Sequence, residues 1–234
     1  MSSIHNKNYI NITYKNKKTK YPAKFCRELF SKYPITSKIL DVGCGNGDFT
    51  TELLNMGFDV QGIDIGDSSP LGERFTKVDI QHQKYPFPDN QFDVVFSKSV
   101  IEHLRDPDYM VDEIYRILKP GGTFVCLTPS WKHSYREQFY IDHTHVTPFT
   151  RYSLETICEL SGFNAKCSYF YQLPLLWKYP IFGIFRWALN LFNLPYKPFS
   201  EYNLWPVEMN KIIRFSKEAM LLCIATKEDI NGTA

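Results

Sequence analysis

The chemistry of this chain concentrates between Lys38 and Thr50, where the sequence reads K-I-L-D-V-G-C-G-N-G-D-F-T. Glycines at 43, 45 and 47 alternate with other residues, Asp41 stands two positions before the first, and Asp48 directly follows the last. Glycine at that density opens backbone angles closed to other residues and lets a ligand approach the main chain. A dinucleotide-binding turn spaces its glycines G-x-G-x-x-G and seats a pyrophosphate on a helix N-terminus. Here the spacing differs, and two aspartates repel a diphosphate while suiting a ligand with an ammonium group. A further acid, Asp64, closes the next apolar run, at the separation that lets a carboxylate on a strand tip reach ribose hydroxyls.

The elements that must position these groups follow from periodicity. Apolar spacing predicts a helix over Tyr21 to Tyr33, a strand over Ile39 to Val42 and a helix from Asp48 to Leu54. Strands are predicted at Asp59 to Ile65 and at Phe75 to Ile80, the latter carrying Asp79 near its end. A proline turn, Tyr85 to Asn90, leads into a fully apolar strand, Phe92 to Phe96. Ser97 to Leu104 leaves that strand as a loop. Met110, Val111, Ile114, Ile117 and Leu118 mark an amphipathic helix from Asp108 to Leu118, which stops at a Lys119 to Gly122 glycine turn. Thr123 to Leu127 is the next strand. The polar, aromatic loop Trp131 to Thr147 precedes a helix from Pro148 to Gly162, a strand from Phe163 to Tyr171 and a last strand from Ala219 to Thr226.

Composition bounds the reading. The 234 residues, 44% hydrophobic and 22% charged, suit one α/β domain over 21–234 and leave no room for two full domains. A net charge of +2 argues against a general nucleic-acid binder, although residues 1–20 carry Lys7, Lys15, Lys17, Lys18 and Lys20 and no acid. That stretch reads as a basic, flexible, solvated tail. Six cysteines form no C-x-x-C pair and no metal-ligand spacing with histidine, so they are expected to be reduced core thiols. With no apolar leader after the tail, a cytoplasmic location is expected.

The glycine run resembles the first signature of class I S-adenosylmethionine-dependent methyltransferases, D/E-x-G-x-G-x-G. The Y-P-F-P-D-N-Q-F-D-V-V, I-L-K-P-G-G-T-F-V-C-L-T-P and H-V-T-P-F-T-R-Y-S-L-E-T-I-C-E-L-S-G-F stretches look like the ubiquinone-type subgroup of that family (methyltransferase type 11 or 23). The resemblance runs from about Ile39 to Phe163. It implies a Rossmann-like, seven-stranded, mostly parallel sheet with helices on both faces and the last strand antiparallel. It also implies S-adenosylmethionine as cofactor, with Asp41, Gly43, Gly45 and Gly47 on the methionine moiety, Asp64 on the ribose, Asp79 and Ile80 on the adenine, and Ser97 beside the methyl donor.

Methyl transfer to a hydroxyl or amine needs a proton acceptor, for which histidine is best suited near neutral pH. His103, His143 and His145 are the candidates. His143 and His145 lie in D-H-T-H, on the loop expected to face the acceptor. His103 sits in S-x-x-E-H; a similar E-x-x-E-H run supplies metal ligands in ubiquinone-type O-methyltransferases, but Ser99 replaces the first acid here, and no metal is expected. Between the last two strands, residues 172–218 form an apolar, aromatic insert. On a helix, Gly183, Arg186, Asn190 and Asn193 make one narrow polar stripe opposite a broad apolar face. Extra core or a dimer face, a lid over an apolar substrate, and a peripheral membrane contact through 173–206 all stay open, as does the oligomeric state. Charged and proline residues exclude a membrane span. The expected acceptor is a small molecule or a lipid- or glycan-linked one, methylated on oxygen. The alternatives are methylation of protein or RNA, and a non-catalytic S-adenosylmethionine-binding interaction protein.

Overall fold

The computed structural model describes residues 20–67, 69–135, 139–179, 181–192, 194, 196 and 206–228. The basic stretch before residue 20 and Asn193 lie outside them. Strand β1 (Lys38–Val42) is flanked by helices α1 (Tyr21–Phe30) and α2 (Asp48–Asn55), and β2 (Asp59–Asp64), β3 (Phe75–Lys77) and β4 (Phe92–Lys98) follow. Then come α3 (Pro107–Ile117), β5 (Leu118–Pro129), the single turn α4 (Trp131–Ser134), α5 (Arg151–Leu160) and β6 (Phe163–Phe170). Helices α6 (Pro174–Lys178), α7 (Phe182–Leu191) and α8 (Val207–Lys217) lead to β7 (Met220–Lys227). The strands lie in the order β3-β2-β1-β4-β5-β7-β6; β7 runs antiparallel to both its neighbours and the remaining pairs are parallel.

Strand alternation sorts the core into two layers. Ile39, Val60, Val94 and Phe96 face α1 and α2, where Phe25, Phe30 and Leu53 pack against them. Leu40, Val42, Ile63 and Val95 face the other way, onto Met110, Ile114 and Leu154 of α3 and α5. Asp41 therefore shares the α2 side with Ile39, under the helix that begins at Asp48. Helix α1 packs flat on the sheet, and Tyr21 joins it to the segment after β6 through Gln172 Oε1 at 2.9 Å. All six cysteines are free and buried.

Several boundaries differ from the sequence reading: α1 ends at Phe30 rather than Tyr33, β4 runs on to Lys98, and α5 starts at Arg151 rather than Pro148. β3 stops at Lys77 because Asp79 turns the chain: its carbonyl accepts from His82 and Gln83 N–H, and its Oδ1 from Gln81 N–H at 3.1 Å. β5 begins at Leu118, absorbing the expected glycine turn as a bulge between the Phe92–Leu118 and Val94–Thr123 pairs, with Gly121 at φ 76°. In the insert, the helices α6 and α7 are separate elements, Pro174–Lys178 and Phe182–Leu191. The proline turn before β4 is fastened by Arg116 of α3, whose guanidinium donates to the carbonyls of Tyr85 (3.0 Å) and Phe87 (2.8 Å) and to Asp89 and Glu113.

Candidate active site

The glycine turn leaves β1 and is tied at once to β2: Gly43 and Cys44 N–H both donate to Ile63 O, at 2.8 and 3.1 Å. Gly43 has φ 77°, and a Cβ there would overlap Val100 Cγ2, so glycine is required by packing as well as by backbone angle. Gly45, at φ 51°, faces open space, with nothing within 4 Å of a Cβ. Its N–H donates to Asp64 Oδ2 at 3.0 Å, while Gly66 N–H donates to Asp64 Oδ1 at 2.9 Å. One carboxylate thus staples the turn to the loop after β2. Gly47 serves as the left-handed cap before α2.

Asp41 is buried beneath the turn and accepts a hydrogen bond from Thr50 Oγ1 at 2.6 Å. Burial pushes its carboxyl up to about 7, against the opposing effect of Thr50. Ser97, at the end of β4, is buried and its Oγ has no hydrogen-bond partner. Asp79 and Ile80 lie beyond β3, Asp79 partly exposed and Ile80 buried. The glycine cradle, the open face of Gly45, the acid on the β2 tip and the orphaned Ser97 hydroxyl fit a ligand that carries both an ammonium group and vicinal hydroxyls.

The second group of residues lies just past β4. Val100 packs on Gly43, and the short turn Ile101–His103 brings Glu102 and His103 against the loop that follows α4. Glu102 is fully buried, its main-chain carbonyl accepts from Val146 and Thr147 N–H, and its Oε2 accepts from Thr128 Oγ1 at 3.0 Å. Its Oε1 has no donor, and burial pushes this carboxyl up to about 7. His145 Nε2 lies 4.0 Å from that oxygen and 3.9 Å from Asp142 Oδ2. The His103 and His145 rings meet edge to face, 4.7 Å between centroids.

Hydrogen bonds define both tautomers. His145 Nδ1 lies 2.6 Å from Phe139 O, a carbonyl that only accepts, so Nδ1 carries the proton and Nε2 the lone pair. Thr144 Oγ1 gives its single proton to Asp142 Oδ1 at 2.6 Å and must therefore accept from His103 Nδ1 at 2.8 Å. Burial lowers the proton affinity of both rings, and their proximity lowers that of His103 further. Glu102, His103 and His145 offer ligand atoms within 4.8 Å of one another, so the fold supplies from His145 a third group that could hold a metal, which the S-x-x-E-H spacing lacks. His143 is exposed and stands apart from this pair.

Sequence reasoning missed Lys98, Thr128, Asp142 and Thr144. Lys98 closes β4, its ammonium lies 5.3 Å from the Phe49 ring centroid, and it feels both Glu102 and Asp41 while burial lowers its proton affinity. Its signal was a lone lysine ending an apolar strand. Asp142 and Thr144 stood inside D-H-T-H, where the histidines drew the attention. At the ends of β5 and β6, Ser130, Lys132, Thr150, Arg151, Tyr152 and Tyr169 line a cleft of about 490 Å³. Beside it, Arg186 of α7 stacks on Tyr171, 4.0 Å from the ring centroid, so the polar edge of α7 faces the domain. Ile184, Phe185, Trp187 and Leu191 are each more than half exposed.

A seven-stranded sheet with an antiparallel β7, a glycine turn after β1 and an acid on the tip of β2 define a class I S-adenosylmethionine-dependent methyltransferase. The chain belongs to the methyltransferase-domain family, whose model matches residues 14–168. It is 33% identical over 130 residues to demethylmenaquinone methyltransferase of Anoxybacillus flavithermus, covering 48% of this chain and 54% of that protein. It is 34% identical over 96 residues to ubiquinone biosynthesis O-methyltransferase of Pseudomonas entomophila, covering 36% and 41%. The chain spans about half or less of the length of these curated relatives. In fold it is similar to a S-adenosylmethionine-dependent methyltransferase from Archaeoglobus fulgidus, with TM-score 0.63 and 22% identity over 88% of this chain and 92% of that one.

Proposed function

We propose that this protein methylates an oxygen of a lipid-linked acceptor and meets the membrane surface through α7. When bound, S-adenosylmethionine supplies an electrophilic methyl group on a sulfonium. Asp41, Gly43, Gly45 and Gly47 hold the methionine moiety, Asp64 the ribose hydroxyls, and Asp79 and Ile80 the adenine, while Ser97 lines the loop beside the donor. The Asp64 carboxylate has two lone pairs per oxygen, so it can keep the Gly45 and Gly66 bonds and still accept from hydroxyls.

His103 and His145 carry their protons on Nδ1 and burial disfavours a second one, so each ring is neutral, the state needed to accept a proton from an acceptor hydroxyl near neutral pH. The Asp142–Thr144 pair orients His103, and Phe139 O orients His145. Holding donor and acceptor at reacting distance supplies up to ~7–11 kcal/mol of the barrier, which is the main task left to the protein when the methyl is already activated.

The observation that supports a lipid-linked acceptor is the inverted packing of α7: Arg186 turns onto Tyr171 while Ile184, Phe185, Trp187 and Leu191 face outward. Among the described residues no helix is long and apolar enough to cross a membrane; α7 would lie along the membrane surface with its apolar face inward. From residue 160 to residue 200 the chain contains no acid, which suits an anionic lipid surface. The test is incubation with methyl-labelled S-adenosylmethionine and a detergent extract of cells, followed by solvent partition. Label in the organic phase is expected. Label confined to protein or RNA would overturn the assignment of the acceptor.

A further inference from the structure

We propose that Lys132 and Arg151 form a subsite for a phosphoryl group carried by the acceptor. The proposal rests on the reading of this protein as a methyltransferase acting on a lipid-linked molecule, and it names a second chemical feature of that molecule. Both cations fold onto a single ring: Lys132 Nζ lies 5.7 Å and Arg151 Cζ 5.4 Å from the Tyr169 centroid. Neither pairs with a carboxylate among the described residues. The nearby acid on the same helix, Glu155, is engaged by Cys167 N–H at 2.6 Å.

The surroundings favour an anion rather than a neutral group. Arg151 is the first residue of α5, ahead of N–H groups that have no carbonyl partner within their own helix. The N-cap Thr150 side chain satisfies only Ser153 N–H, at 3.2 Å. His133 meets Tyr169 edge to face, 4.7 Å between centroids, and is bonded through Nδ1 to Ser130 Oγ at 2.9 Å, while Arg186 lies over the neighbouring Tyr171. After burial, the positive charges of Lys132 and Arg186 are what disfavour a proton on His133, which shows the sign of the local field.

Two monovalent cations match a group that carries close to two negative charges at neutral pH. Arginine adds a planar fork for two phosphate oxygens, and lysine adds a point charge. The cleft of about 490 Å³ falls in the range of small-ligand sites. Its lining includes Ser130 and Lys132, at the start of the loop that carries His145.

The probe is inorganic pyrophosphate, titrated calorimetrically into the wild-type chain and into a Lys132→Gln/Arg151→Gln variant that keeps the side-chain stems. Saturable binding by the wild type, weakened ~10-fold or more in the variant, is expected, since two charge-assisted contacts are lost. S-adenosylmethionine affinity should be unchanged in the variant and serves as the check on its fold. Equal or unsaturable binding by both proteins would overturn the subsite. So would loss of phosphatidylglycerol-vesicle binding in the variant with pyrophosphate affinity unchanged, because the cations would then serve bilayer headgroups. Failure of the wild type to bind S-adenosylmethionine would instead remove the methyltransferase reading and leave the anion site standing.

Discussion

Glu102→Gln should change how stability depends on pH, in a direction opposite to that of a salt-bridged acid. Glu102 is fully buried, one oxygen accepts from Thr128, the other has no donor, and burial raises its carboxyl from the usual 4.5 to about 7. Below 4.5 the folded and unfolded chains are both protonated and the group is neutral toward stability. Between 4.5 and 7 the unfolded chain releases its proton first, and above 7 the folded protein holds a buried, partly unpaired anion. Stability is therefore lost as pH rises through that window, by up to roughly 3 kcal/mol for a rise of this size. Glutamine keeps an acceptor for Thr128, places an N–H toward the His145 lone pair and does not ionise. The variant should gain on wild type by up to roughly 3 kcal/mol between pH 4.5 and 8, read from urea denaturation at several pH values in EDTA. Taking the difference between the two proteins cancels the contributions of ionisable groups remote from Glu102. A stability difference that stays constant across the window would refute the reasoning.

Other perturbations separate the parts of the site. Gly43→Ala combines a left-handed backbone with overlap on Val100 and should cost about 2–4 kcal/mol in thermal denaturation, whereas Gly45→Ala, facing open space, should cost about 1 kcal/mol and act mainly on cofactor affinity. Asp64→Ala removes two bonds from the glycine turn as well as the ribose acceptor, so calorimetric S-adenosylmethionine affinity should fall ~10-fold or more while the domain stays folded; unchanged affinity would count against the assignment. Arg116→Ala releases the turn before β4 and should lower unfolding free energy by about 2–4 kcal/mol with no direct effect on cofactor binding. Replacing Phe185, Trp187 and Leu191 together by serine should reduce co-sedimentation with phosphatidylglycerol vesicles ~10-fold or more, and the blue shift of Trp187 fluorescence on vesicle addition should disappear.

The strands along the chain and the glycine turn were legible because each depends on local pattern, apolar runs, alternating glycines and acids at strand tips, whereas the sheet's topology came from the family resemblance. β3 ran short of its expected end because Asp79 uses its own carbonyl and carboxylate to turn the chain, a competition that hydrophobicity does not reveal. The glycine turn before β5 became a bulge because its partners on β4 are distant in sequence. The histidines were visible as residue types, but their pairing was not, since His103 and His145 are joined through Thr144, Asp142 and a carbonyl from a different part of the loop. The broad apolar face of α7 was predicted by spacing; that it points outward was settled only by Arg186 stacking on Tyr171.

Lys98 ties the two halves of the site into one electrostatic unit. Asp41 under the glycine turn and Glu102 beside the histidines are both pushed up to about 7, and each favours the protonated lysine between them, which burial disfavours. A positive charge placed against Asp41 favours ionisation of that acid, and the ionised acid in turn favours the protonated form of Lys98. Cofactor binding at the turn and the protonation of Glu102 are therefore expected to be coupled through Lys98. Lys98→Met should then separate them: cofactor affinity measured between pH 6 and 8 should lose its proton linkage to Glu102, a change that loss of packing alone would not produce.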